Sequence, residues 1–230
     1  MICPYLTRSL LCPFRAYKPF PIYRLVNPPL TVTDTKIKIS NDKIIENLQI
    51  PAFHGDVNPQ IMESINTNVK NDIMEFKTQL ETAAEESAES FKKQGKQFKP
   101  YQISNSYSIT YNKNNILSVS LLYQEYISGK NSYTRTTYNY NLKTGESMPL
   151  RSLFKQGSDY IDTLNSKIRR KFTAQFKGIA ADQPYYLDDN NLVIFLRFNE
   201  IAPAISDIPI IKIPFSELTN ILKSQFLKDS

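Results

Sequence analysis

The chain has 230 residues, 41% of them hydrophobic and 22% charged, which is enough for one good-sized domain or one domain with appendages. No run of about 18 apolar residues occurs, so nothing reads as a membrane-spanning helix. The net charge of +6 is unevenly placed: residues 1–30 hold Arg8, Arg15, Lys18 and Arg24 with no acid, and the remainder holds 24 bases against 22 acids. A body so close to neutral lacks the clustered basic face of a nucleic-acid binder.

Residues 1–30 contain six of the 14 prolines and no glycine. That spacing forbids a helix longer than about two turns and favours an extended conformation. Leu10-Leu11 is too short and too interrupted by proline for the apolar core of a signal peptide. Tyr5, Leu6, Leu10 and Phe14 make the segment sticky, as an arm lying either on its own domain or on a neighbour's sheet edge. Cys3 and Cys12, the two cysteines, both lie in it. They read as idle thiols, or as a bridge between the two or to another subunit. With His54 as the one histidine, these residues cannot complete a four-ligand zinc site, so no metal and no cofactor is expected.

From Leu30 the pattern changes. Thr31–Ile39 alternates as a strand, Asn41-Asp42 marks a turn, and Ile44–Phe53 returns as a second strand. Asn58-Pro59 is a helix start, and Ile61, Ile65, Val69, Ile73, Phe76, Leu80, Ala84, Ala88 and Phe91 set one face of a helix ending before Gly95. Strands over Tyr101–Tyr111, Ile116–Tyr126 and Tyr133–Leu142, with turns at 112–115 and 128–132, form an antiparallel meander. Tyr133, Arg135, Tyr138 and Tyr140 give the third strand a polar, aromatic character, expected to face water or a ligand.

Further on, 150–154 reads as a helical turn, Tyr160–Phe172 as an amphipathic helix, and 176–182 as a connector. The densest apolar run, from Pro184 to Pro203, is split by a polar turn at Asp188–Asn191. Both of its alternating faces are apolar, as in a central strand covered on two sides. The chain upstream looks too polar to hold a core without packing on it. Ser216–Leu227 closes the chain as a helix with Leu218, Ile221, Leu222 and Phe226 inward. The fold class is α+β: an antiparallel β-meander sheet packed with one long and two shorter helices, plus an extended N-terminal arm. The domain boundaries are 1–30 for the arm and 31–230 for the body.

Several pieces fall in a familiar order: Tyr140–Gly145, Leu150, Leu153-Phe154, Ile168-Arg169, Tyr185–Leu187, Leu192–Ile194, Glu200-Ile201-Ala202-Pro203, Ile208-Pro209 and Ile213–Leu218. Over residues 31–227 this resembles the family of unknown function that forms the ectodomain of the lysozyme-sensing anti-sigma factor RsiV. That family also precedes some peptidoglycan deacetylase domains. The resemblance implies an α/β sandwich that binds protein or cell-wall material without catalysis. Where the family has an aromatic before the Glu, another after the Pro and then a Gly, this chain has Asn199, Ala204 and Asp207.

Catalytic motifs are missing from the pattern. One histidine leaves little for acid–base chemistry, and no nucleophile elbow or phosphate-cradling glycine loop occurs. Asp188–Asn191 lacks the spaced carboxylates of a calcium loop. Glu200 and Glu217 are the acids within the family-like motifs, and no spacing pairs them for glycoside hydrolysis. The chain is therefore expected to be no enzyme but a structural, self-assembling protein of a bacterial cell or spore surface. Its arm residues Cys3, Tyr5, Leu6, Leu10, Cys12 and Phe14 would join copies into a homo-oligomer or filament, with a disulfide as an optional lock. The alternative is a module binding lysozyme or peptidoglycan through Tyr133, Arg135, Tyr138, Tyr140, Asn199, Glu200 and Pro203. Without a recognisable signal peptide, a cytoplasmic location is the alternative to a surface one.

Overall fold

The computed structural model describes residues 29–170, 176–196 and 209–227. Strands β1 (Thr31–Ser40) and β2 (Ile44–His54) form a hairpin closed by Asn41, whose Oδ1 accepts from the backbone N–H of Lys43 and Ile44, both at 2.8 Å. Helix α1 (Pro59–Lys93) starts where Asn58 caps the N–H of Gln60 at 2.9 Å. It ends in the left-handed turn that Gly95 allows at φ +65°, with the N–H of Lys96 bonded to the carbonyl of Phe91. Strands β3 (Tyr101–Lys113), β4 (Ile116–Ile127) and β5 (Lys130–Asn141) complete a five-stranded sheet in sequence order. Both meander turns are two residues long. Asn114-Asn115 and Ser128-Gly129 all have positive φ, the geometry that matches the twist of the flanking strands.

The sheet is antiparallel except between β2 and β3, which α1 connects as a crossover. That parallel pairing lasts four residues, Ile44–Asn47 against Tyr101–Ser104, and then the strands part. Side-chain amides take over from the missing neighbour. Asn105 accepts from the N–H of Gln49 and donates to its carbonyl, at 2.6 and 2.8 Å. Asn66 of α1 does the same for Phe53, at 2.8 and 3.0 Å, and Asn112 for Leu30, at 3.0 and 2.8 Å. An amide carries one acceptor and a donor, so it satisfies a strand edge as a peptide would. Between the two clipped residues of β2 stands Pro51, on the same edge by the period of two, where no N–H is needed.

A hydrophobic core joins α1 to one face of this sheet, through Ile65, Val69, Ile73, Leu48, Phe53, Ile103, Leu117, Val119 and Leu121. The upstream chain therefore holds a core of its own, contrary to expectation. What looked too polar in composition becomes sufficient once α1 and alternate strand positions share one side.

The second core surrounds a three-stranded antiparallel sheet of β6 (Tyr185–Leu187), β7 (Asn191–Phe195) and β8 (Ile210–Pro214). The central strand is buried on both faces, as its double apolar pattern predicts: Leu192 and Ile194 on one, Val193 and Phe195 on the other. Helix α2 (Tyr160–Arg169) adds Leu164 and Ile168. The turn at 150–153 is a 3-10 helix. The edge of β6 meets the first sheet through side chains. Ser118 Oγ accepts from the N–H of Leu187 at 3.0 Å, and Asn139 Nδ2 donates to the carbonyl of Tyr185 at 2.8 Å.

The described residues contain two α-helices, not three. Over 216–227 stand two 3-10 turns, Phe215–Glu217 and Ser224–Phe226. Tertiary pairing displaces the helix, because the carbonyl of Ile221 accepts from the N–H of Lys155 and the N–H of Lys223 donates to Leu153. Of the four residues expected inward, Leu218, Leu222 and Phe226 are buried and Ile221 is half-buried against the same core. No helix is long and apolar enough to cross a membrane among the described residues.

Candidate functional site

One face of the five-stranded sheet is covered by α1; the other is covered by β6 at its Ser118–Asn139 end and open over the rest, and strand register assigns the side chains to each. On the open face one row runs Ser40, Ile45, Gln102, Tyr126, Asn131 across all five strands, and the next runs Lys38, Asn47, Ser104, Gln124, Tyr133. Beyond them lie Ser106, Leu122, Arg135 and then Ser108, Ser120, Thr137. Ile45, Tyr126 and Tyr133 are each 38% exposed, three of the five large hydrophobic side chains so exposed among the described residues. Ile45 and Tyr126 border an open basin of about 570 Å³ lined also by Asn47, Gln102, Ser104, Gln124 and Asn131, and Tyr133 stands across from Gln124 beside it. None of the residues in these rows is acidic.

Arg135 is half-buried toward the covered end of this face. Its Nη1 donates to Ser120 Oγ, while its Nε is buried without a hydrogen-bond partner, and it makes no ion pair among the described residues. Gln124 Nε2 lies 3.5 Å from the Tyr133 hydroxyl, at the limit of a hydrogen bond.

Strand alternation divides the expected ligand surface. Tyr133 and Arg135 are on the open face, but Tyr138 and Tyr140 pair with Val119 and Leu117 and face α1. Both are buried, their rings stacked at 6.4 Å, and the Tyr138 hydroxyl donates to Asp72 Oδ2 of α1 at 2.6 Å. Burial first, and the Asp72 carboxylate second, push the Tyr138 phenol far above its ordinary range; burial likewise raises Tyr140. They anchor the helix and are not available to a ligand. The other expected surface residues, Asn199, Glu200 and Pro203, and the arm residues Cys3, Tyr5, Leu6, Leu10, Cys12 and Phe14 lie outside the described residues.

Ile45, Asn47, Gln102, Gln124, Tyr126 and Asn131 were not singled out by the sequence. The alternation that sends Leu117, Val119, Leu121 and Tyr123 inward already sends Gln124 and Tyr126 outward. Nothing local shows that β2 comes back beside β3 to extend the row.

The remaining chemical candidates resolve into structure. Asp188 makes the turn before β7, accepting from the N–H of Asn190 and Asn191 and pairing with Lys212 at 3.1 Å. Burial pushes its carboxyl up, but the bonds from Asn191, Lys212 and Asn190 outweigh it and hold the pKa below the usual range. Glu217 pairs with Lys167 at 2.8 Å on the surface. His54 ends β2 with its Nε2 at 2.8 Å from Thr33 Oγ1. No cluster of three metal-ligating side chains occurs among the described residues.

Residues 37–142 match the family described as deacetylase PdaC, and residues 151–216 match DUF3298, a family of unknown function. The gap between the matches falls at the gap between the cores, which end and begin at Leu142 and Leu150 apart from Tyr111 and Ile116. A DUF3298 family member from Bacteroides fragilis has a similar fold, with a TM-score of 0.67 at 16% identity over 87% of this chain and 97% of that one. So does a DUF3298 protein from Pseudomonas aeruginosa, with a TM-score of 0.57 at 13% identity over 86% and 97%. Together these matches are consistent with a DUF3298-like family, which is bacterial. At such identities the structural likeness concerns the fold alone. No curated protein matches the chain.

Proposed function

We propose that the chain is a non-catalytic binding module of the bacterial cell surface, and that its ligand lies on the open face of the five-stranded sheet. The exposed cluster of Ile45, Tyr126 and Tyr133, framed by Asn47, Gln102, Gln124 and Asn131, carries this reading. Tyrosines offer apolar area at low entropic cost, and fixed amides supply both donors and acceptors. A sheet holds them rigidly enough to select a peptide or a sugar chain. The resemblance to the RsiV ectodomain family supports lysozyme or peptidoglycan as the partner.

The test is surface plasmon resonance with hen lysozyme and with soluble muropeptides over the immobilised chain. Binding at micromolar affinity or tighter is expected, weakened about tenfold, or about 1.4 kcal/mol, by Tyr126→Ala or Tyr133→Ala. Failure of both ligands to bind, or variants that bind like the parent, refutes the proposal. Self-association through residues 1–30, locked by Cys3 or Cys12, is a separate proposal about residues outside those described. Deletion of residues 1–22 should then leave a soluble monomer, and native material should lose its oligomer under reduction.

A further inference from the structure

Strand β5 is the last strand of its sheet, and its outer edge is only half closed. Near its end the carbonyl of Asn139 accepts from the N–H of Met148 at 2.7 Å, and the N–H of Asn141 donates to Glu146 at 3.0 Å. Odd-numbered residues therefore direct their backbone groups outward. The register of β4 and β5 is unbroken, so Asn131, Tyr133, Arg135 and Thr137 do the same. No backbone group of the described residues hydrogen-bonds to the outward N–H and carbonyl groups of that stretch. It is free of proline and exposed from Lys130 to Thr134, and its pairing with β4 has no bulge.

The same four residues put their side chains on the open face. Arg135 stands there half-buried with an unpartnered Nε and no ion pair among the described residues, in rows that carry no acid. Charges removed from water are normally paired. No described residue supplies the anion that would pair it. Residues 1–30 do not supply it, since they hold four bases and no acid.

Resting on the reading of this face as the ligand surface, we propose that the outer edge of β5 accepts an extended acidic peptide from a partner protein as a sixth strand. Its main chain pairs with Asn131–Thr137, and one Asp or Glu side chain reaches Arg135 beside Tyr133. Main-chain bonds supply sequence-independent affinity, and the charge-assisted bond to the guanidinium selects the acidic residue. The edge runs at its far end into a cleft of about 290 Å³ between Thr137–Tyr140 and Asp182–Tyr185, which leaves room for the peptide to continue.

Fluorescence anisotropy of the full chain with a labelled nonapeptide of alternating Thr and Ser, carrying Glu at its centre, tests this. The Glu peptide is expected to bind about tenfold tighter than its Gln counterpart. That preference should vanish in Arg135→Gln, and N-methylation of alternate peptide amides should abolish binding. Equal affinity for Glu and Gln peptides overturns the proposal without depending on any variant. So does a polythymidine oligonucleotide that binds through Arg135 when no peptide does. Muropeptide or lysozyme binding that needs Tyr126 and Tyr133 but is indifferent to Arg135 overturns the added strand while leaving the open face as a ligand surface.

Discussion

The two cores of this chain are held by different means. Around β7 the centre is hydrocarbon, where Leu187, Leu192, Ile194, Ile211 and Ile213 meet Leu150, Leu153, Leu164 and Ile168, and the buried amides sit at its rim: Gln183 donates to the carbonyl of Phe195 and Asn165 accepts from the N–H of Ile179, both at 2.9 Å. The strands are short, and side-chain burial does most of the work. Between α1 and the large sheet, polar groups are built into the packing. Glu46 and Asn105 are buried there, four tyrosines bring hydroxyls, and asparagines bridge the places where β2 and β3 part. A sheet that splits to admit a helix exposes backbone groups inside the protein, and amide side chains are what make the split tolerable.

If that contrast is right, the largest single effect belongs to β7. Ile194 is fully buried at the middle of the small sheet. Ile194→Ala should cost about 4 kcal/mol in urea unfolding, the loss of transfer energy plus an unfilled cavity. A cost below about 1.5 kcal/mol would mean that the site collapses freely and the core is not tightly packed. Next comes the clip on Phe53. Asn66→Ala should cost about 2 kcal/mol, because it removes two hydrogen bonds from half-buried backbone groups of Phe53. Asn66→Asp should not rescue it, since the carboxylate restores the acceptor and opposes the Phe53 carbonyl. Asn131→Ala on the open face is the control and should stay within about 0.5 kcal/mol.

These residues also show what could be foreseen. The helix over 59–93 and the meander were legible because local signals set them: Asn58-Pro59, Gly95, the Asn114-Asn115 turn and the apolar spacings. The burial of both faces of β7 was legible too. The pairing of β2 with β3 was not, because it joins residues about 57 apart across a helix, with register set by packing. The 3-10 turns near the C-terminus were missed for a similar reason, since residues 221–223 bond to 153–155 instead of to their own next turn. At the ligand surface, composition drew attention to a Tyr-rich strand, but only the period of two separates Tyr133 and Arg135 from Tyr138 and Tyr140.

A smaller effect tests the polar layer from the other side. Glu46 is 2% exposed, neither of its oxygens has a hydrogen-bond partner, and Lys77 Nζ is 3.6 Å away while lying 2.6 Å from Glu81. Attraction therefore reaches Glu46 without a direct bond. Burial raises its pKa, and Lys77 only partly offsets that. The folded protein then holds this proton more tightly than the unfolded chain does. The group's stabilising contribution is complete below the ordinary carboxylate range and disappears as pH rises through the raised value. Near neutral pH the carboxylate is a burden. Glu46→Gln should stabilise by about 1 kcal/mol there, or raise Tm by about 2–4 °C. Near pH 4 the gain should vanish, because the parent is then protonated as well. A lower Tm for the variant at neutral pH would show the Glu46–Lys77 pair to be net stabilising.

The smallest stability effect is expected on the open face, and its smallness is the point. Tyr126 is exposed to solvent and its hydroxyl bonds to no described residue, so Tyr126→Ala removes little that the fold uses. Its unfolding free energy should match the parent within about 0.5 kcal/mol, although Tyr123, three residues back on the covered face, packs its ring 4.3 Å from Phe76. Tyr123→Ala should cost about 3 kcal/mol by comparison. A loss above about 1 kcal/mol for Tyr126→Ala would mean that another part of this chain lies over the face. The tyrosines would then be core, and a ligand would have to displace that segment to bind. Parity of Tyr126→Ala with the parent leaves the face open, with its aromatic and amide side chains kept for something other than folding.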